Sequence, residues 1–255
     1  PFSEANLTDA NKEYLQKYLD VTKSQMFFAK GIIFVEGISE AILLPEIAKI
    51  LDRPLEKYAV ELVNVDSVAF SPFVNLFSSQ NVQTCFSKVA IVTDDDRCTK
   101  KSETNYINKD FDYDDVNSDI SGKLLSGTPS ERCNELETSC RAVGINVFKA
   151  TKTLEYALCC DENNIEYFIE AIKSEYSQLG PALEQKVNSL HDMNEKAACV
   201  WLFIRAREKC KGAIAQYISQ IIKKQCEMRK RGENIEKEFV IPDYLKEAVY
   251  CVTER

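Results

Sequence analysis

Two short stretches concentrate carboxylates where a strand would end. In Ile33-Phe34-Val35-Glu36-Gly37-Ile38-Ser39-Glu40 an apolar run stops at Glu36, turns on a glycine and presents Glu40 four residues later, while Lys88 to Thr93 runs directly into Asp94-Asp95-Asp96. A carboxylate taken out of water is costly unless a positive charge sits beside it. Like charges packed together repel and do not all stay ionised without compensation. A hard divalent cation supplies that compensation, and carboxylate oxygens with retained waters are the ligands that Mg²⁺ and Mn²⁺ prefer. The plainer alternative is a solvated triple-Asp turn, with Glu36 paired to a lysine. Both stretches falling at the ends of neighbouring strands favours metal.

The elements that must position these groups follow from the spacing. Strands are expected at 31–35, 59–65, 88–93 and 144–150, separated by helical segments. Such alternation favours a parallel sheet with right-handed crossovers. Ligands then bind at the strands' C-terminal edge. Gly37 is expected to give a tight turn, so that Glu36 and Glu40 face one point. Ser39 can cap a helix bearing Ile42, Leu43, Ile47, Ile50 and Leu51, with Pro45 inside it. Period-2 spacing on an extended backbone puts Asp94 and Asp96 on one side and Asp95 on the other.

An opening helix is expected over 8–28. The segment from Asp94 to Asp119 holds nine acidic and four basic residues and reads as a loop or insertion. Thr128-Pro129-Ser130-Glu131 reads as a capping box opening a helix that Gly144 ends. Beyond Glu155 the pattern is helical, at about 162–178, 181–190, 195–209, 212–231 and 242–252. The organisation expected is a leading helix or linker over 1–30, an α/β core over 31–160 with a loop or insertion over 94–127, and a helical region over 161–255 packing on that core.

Composition limits the chemistry. The 255 residues are 45% hydrophobic, enough for a globular chain of one large or two small domains. The longest apolar run, Ala197 to Ile204, is far short of the roughly 20 residues of a membrane helix, and no signal-peptide pattern opens the chain. A soluble, cytoplasmic protein without a membrane partner is expected. The start at Pro1, without an initiator Met, suggests a piece of a longer polypeptide. Ten cysteines without a Cys-x-x-Cys pair read as reduced, mostly buried thiols. His191 is the single histidine and lies in a polar stretch, so catalysis is expected to run on carboxylates.

Glu at the end of the first strand followed by Gly, with Asp-x-Asp at the end of the third, resembles the Toprim domain of topoisomerases, primases and several nucleases. The longer wording from Phe27 to Pro45, FFAKGIIFVEGISEAILLP, resembles the Toprim portion of OLD (overcoming lysogenisation defect) family nucleases. Lys152-Thr153-Leu154-Glu155-Tyr156 is similar to that family's Thr/Ser-Leu-Glu element, and Lys211-Gly212-x-x-Ala215 to its Lys-Gly-x-x-Ala element. Alone, Glu155 is an ordinary acid at a helix start and Lys211 an ordinary surface lysine.

The resemblance implies a Toprim-like, mainly parallel four-stranded sheet flanked by helices, with an added helical subdomain. It also implies two-metal hydrolysis of DNA phosphodiesters, with two Mg²⁺ or Mn²⁺ ions roughly 3.5–4 Å apart. By that resemblance Glu36, Asp94 and Asp96 hold one ion, and Glu40, Glu155 and Thr153 the other. Lys211 then stabilises the transition state. Arg97 is a weaker phosphate-contact candidate, for which a surface salt bridge is the alternative.

The partners implied are DNA, an N-terminal ABC-type ATPase portion of the same polypeptide, a second copy in a homodimer and, in some relatives, a helicase. The setting implied is phage defence. Net charge is −8, but residues 205–237 carry ten basic and four acidic residues, a stripe fit for a phosphate backbone or for a solvated helix face. Two competing readings remain: another Toprim enzyme of topoisomerase or primase type, and a non-catalytic Toprim scaffold or DNA-binding module.

Overall fold

The computed structural model describes residues 8, 9, 12, 15, 23–77 and 88–254. Its centre is a four-stranded, wholly parallel sheet of β1 (Gly31–Val35), β2 (Val60–Asn64), β3 (Lys88–Asp94) and β4 (Asn146–Ala150), in the order β2-β1-β3-β4. Parallel strands read as continuous apolar runs when both faces are covered, and β1 is buried at all five positions. Alternate residues divide between the two faces. Ile33, Val35, Ala90 and Val92 join one hydrophobic cluster, whereas Ile32, Phe34, Val89 and Ile91 join another.

The smaller cluster lies under α2 (Ser71–Leu76) and α4 (Glu131–Arg141). Phe34 packs against Phe73 with ring centroids 4.9 Å apart. Such pairs add about 0.5–1.5 kcal/mol beyond their burial. The larger cluster spans the opposite face. It joins α1 (Ile38–Ile50), α5 (Leu154–Cys159), α6 (Glu162–Glu175), α7 (Leu179–Ser189), α8 (Met193–Ala206), α9 (Lys211–Lys230) and α10 (Asp243–Thr253) to the sheet. One continuous cluster therefore serves the sheet and the helices after residue 161.

The direction of α10 bears on everything above the sheet. Its last turn lies at the strands' first residues: a Cβ on Gly31 would stand 2.9 Å from the Val252 carbonyl, Asn146 Nδ2 donates to Cys251 Sγ at 3.2 Å, and Lys88 Nζ donates to the Glu254 carbonyl at 2.6 Å. The helix thus runs antiparallel to the strands, with its first turn toward their C-terminal ends.

Several sequence expectations need correction. Within the helix expected over 8–28, Asp9, Lys12 and Leu15 are helical, Lys23–Phe28 forms a 3₁₀ turn instead, and most of the rest lies outside the described residues. The cap of α4 is Ser130, not Thr128; its hydroxyl accepts from Cys133 N at 3.3 Å. The 94–127 segment is no bare loop. It contains α3 (Ser118–Ser126) and buries Ile107, Tyr113, Val116, Ile120 and Leu124. Arg207 pins it by a two-pronged bond to Asp112 at 2.8 and 2.9 Å, with Arg205 NH2 bonded to the Phe111 carbonyl at 2.6 Å. Acidic composition hid these apolar anchors. All nine cysteines among the described residues are free thiols, seven of them buried. Among the described residues no helix is long and apolar enough to cross a membrane.

Candidate active site

The C-terminal edge of the sheet gathers the acids. Register pairs Val35 with Val92, so Glu36 emerges level with Thr93, whose buried hydroxyl donates to Glu36 Oε2 at 2.6 Å. Gly37 then sits in extended conformation (φ −147°) as the cap of α1, so no left-handed turn is needed there. A Cβ on Gly37 would lie 3.4 Å from Glu40 Oε2, an ordinary contact. Three residues into α1, Glu40 is buried.

Asp94 ends β3, and the expected alternation stops with it, because Asp96 takes left-handed backbone (φ 50°). Asp95 stands apart from the other two and turns inward. It is buried and accepts from Arg97 Nε at 2.9 Å, Arg97 NH2 at 2.6 Å, and the backbone N–H groups of Arg97 and Lys152 at 3.1 and 2.9 Å. Arg97 is therefore held in a buried ion pair, neither at the surface nor free for a phosphate.

Asp94 accepts Leu154 N–H at 2.8 Å, which ties the third strand's end to the first turn of α5. That turn carries Glu155, buried, whose Oε1 accepts from Ser39 at 3.3 Å and stands 3.8 Å from Lys211 Nζ. Thr153 is the cap of α5; its hydroxyl accepts from Tyr156 N at 3.3 Å. Lys211 is the first residue of α9, the end where the helix dipole disfavours a cation. The negative charge of Glu155, then Asp94 and Glu40, overcomes that and holds its ammonium above the usual lysine range.

Sequence reasoning missed four side chains here. Arg132, on α4, bonds the Asp96 carboxylate at 2.7 Å and the Asp94 carbonyl at 3.2 Å, and lies 3.6 Å from Glu36. Thr93 and Ser39 steady Glu36 and Glu155. The Tyr244 hydroxyl, from the first turn of α10, is buried without a hydrogen-bond partner among the described residues. A hydroxyl in an otherwise apolar strand is a local signal for Thr93. Nothing near Arg132 or Tyr244 in sequence marks them, because the fold brings them in from 38 and 150 residues beyond Asp94.

Glu36, Glu40, Asp94, Asp96 and Glu155 thus share one edge with Arg132 and Lys211, and the charges do not balance. Burial, Glu155 and Glu36 push the Glu40 carboxyl up to about 7. Burial, then Glu40, Glu155, Glu36 and Asp96, hold Asp94 well above the usual carboxylate range. A cluster that must take up protons at neutral pH suits divalent cations, and its donors are the hard oxygens Mg²⁺ and Mn²⁺ take. In their present rotamers no three His, Cys, Asp or Glu side chains among the described residues converge closely enough to hold an ion. The fit therefore rests on charge and donor type.

The basic run of 205–237 is not a free stripe. Arg205, Arg207 and Lys211 are engaged as above, Arg229 and Lys237 pair with Glu238 and Glu166, and Lys209, Lys223 and Lys224 are exposed. His191 is exposed, as its polar setting suggests.

Comparison with known proteins agrees with this architecture. Residues 27–96 match the family model "Overcoming lysogenization defect protein-like, TOPRIM domain". No curated protein matches. Among solved structures, the C-terminal region of the Xanthomonas campestris pv. campestris OLD protein is similar with a TM-score of 0.54 at 20% identity, covering 90% of this chain and 95% of that one. The C-terminal region of the Burkholderia pseudomallei OLD protein is similar with a TM-score of 0.52 at 19% identity, covering 89% and 98%. Residues 27–96 thus match an OLD-like Toprim domain, within a chain that folds like the C-terminal regions of OLD proteins.

Proposed function

We propose that this chain is the catalytic part of a Mg²⁺- or Mn²⁺-dependent endonuclease that hydrolyses DNA phosphodiester bonds, joined in its full polypeptide to an N-terminal ATPase portion and acting in phage defence. The observation that carries the reading is five carboxylates, from the end of β1, α1, β3 and its following turn, and α5, gathered along one sheet edge beside Arg132 and Lys211. Two bound ions would activate water, orient the phosphate and stabilise the leaving oxygen.

Glu36, Asp94 and Asp96 would hold one ion, and Glu40, Glu155 and Thr153 the other. Thr93 fixes the Glu36 rotamer and the Leu154 amide fixes Asp94. Lys211, raised in pKa by its acidic neighbours, stays charged through neutral pH and can stabilise negative charge building on phosphorus. Arg132 neutralises Glu36 and Asp96 in the present arrangement; were those acids to hold metal, its guanidinium would be free for a phosphate oxygen.

One observation favours a non-catalytic Toprim module: Arg132 and Lys211 already pair with three of the acids, and no three acids converge. Incubation with supercoiled plasmid in Mg²⁺, Mn²⁺ or EDTA separates the readings. Metal-dependent nicking or linearisation that Glu40→Ala and Lys211→Ala each reduce at least a hundredfold is expected. Absence of any Mn²⁺-dependent rise in melting temperature would leave the scaffold.

A further inference from the structure

A phenol from the far end of the chain reaches the acidic edge. Because α10 runs antiparallel to the strands, with Cys251, Val252 and Glu254 against the first residues of β4, β1 and β3, its first turn must lie toward Glu40 and Asp94. Tyr244 stands in that turn. Its ring packs against the larger hydrophobic cluster, and its hydroxyl is buried with no partner among the described residues. A buried hydroxyl without a partner is rare and calls for an explanation.

The surroundings supply one. Burial, and after it the charges of Asp94, Glu40 and Glu155, hold this phenol well above the ordinary tyrosine range. A phenolic hydroxyl can donate to a carboxylate oxygen. Among the described residues the donor to the Asp94 carboxylate is Leu154 N–H, bonded to Oδ1. Metal ligands are oriented by such outer hydrogen bonds, whose loss typically weakens metal affinity about 10–100-fold.

We infer that, once Asp94 turns to metal, the Tyr244 hydroxyl donates a hydrogen bond to its carboxylate and thereby holds it in its metal-ligating orientation, making Tyr244 a positioning residue. The inference rests on the metal-site reading proposed above. The α10 helix then has two tasks: its apolar face of Leu245, Ala248, Val249 and Val252 covers the sheet, and its first turn braces the acid at the end of β3.

The test compares wild-type chain with Tyr244→Phe, which keeps the ring and removes the hydroxyl. Mn²⁺ binding is followed by electron paramagnetic resonance and melting by circular dichroism in EDTA. The expected result is an apparent Kd for Mn²⁺ raised about tenfold, with melting in EDTA unchanged or higher. Cleavage should need about tenfold more Mn²⁺ for its half-maximal rate, with the rate at saturating Mn²⁺ restored. Superimposable isotherms, with wild type binding Mn²⁺, would overturn the Tyr244 assignment alone. A lowered melting temperature in EDTA with unchanged Kd would do the same, marking the phenol as packing. Failure of wild type to bind Mn²⁺ would overturn both this assignment and the metal-site reading.

Discussion

Asp94 and Asp95 are neighbours in the chain and opposites in the structure. Asp95 is buried with a full set of donors: the Arg97 guanidinium and two backbone amides. Asp94 accepts one backbone amide and otherwise faces Glu40, Glu155, Glu36 and Asp96. One carboxylate is spent on holding the turn together. The other is left half-buried among like charges, and a carboxylate so placed marks a candidate functional site.

The largest effect should come from breaking the satisfied member. Asp95→Ala strands the Arg97 guanidinium in a buried site, and loss of one partner of a buried pair costs about 3–5 kcal/mol. Chemical denaturation in EDTA should show that loss. Asp94→Asn should do the reverse, leaving stability in EDTA equal or higher because a repelled charge is gone. It should also erase the stabilisation by Mn²⁺, about 2.7 kcal/mol at a hundredfold excess over Kd. Equal destabilisation by both substitutions would remove the distinction between the two acids.

A middle-sized effect is the pH dependence of the metal-free chain. The Glu40 pKa is raised from 4.5 to about 7, so the folded state binds more protons than the unfolded state between those values. Stability from this group is complete below about pH 4.5 and is lost as pH rises through about 7. Melting in EDTA should therefore fall across that interval, and Glu40→Gln should flatten the fall. Mn²⁺ should stabilise more above pH 7 than below it; a profile unchanged by Glu40→Gln would refute the assignment.

The smallest effect sharpens a point of backbone geometry. Gly37 has extended backbone and room for a methyl group, so Gly37→Ala should cost only the roughly 0.5–1 kcal/mol by which Ala falls behind Gly at a helix cap. A loss above about 1 kcal/mol in denaturation would show that the glycine is needed after all.

These contrasts also show how far the sequence was legible. Hydrophobic runs of five to seven residues followed by acids placed three strands and their C-terminal edge, since a buried parallel strand and its exit are both local patterns. Glu36, Glu40, Asp94 and Asp96 were readable because each lies at such an exit. Glu155 and Lys211 were nominated through resemblance; spacing alone left them ordinary. The separation of Asp95 from Asp94 and Asp96 was read from the strand period, whereas the left-handed backbone at Asp96 and the Arg97 partner of Asp95 were not readable. Arg132 and Tyr244 depend on how helices far along the chain are laid over the sheet, and no local pattern encodes that placement.

The antiparallel course of α10 also sets a timetable. The strands and their acids are synthesised by residue 155, but α10 starts at Asp243, about 90 residues and roughly 5–20 s later at ordinary ribosome speeds. Until then one face of a parallel sheet lacks the helix that spans its strand starts. A growing chain thus carries its acids early and the helix that covers this face of the sheet last, so the acidic edge is complete only as translation nears the end of this region.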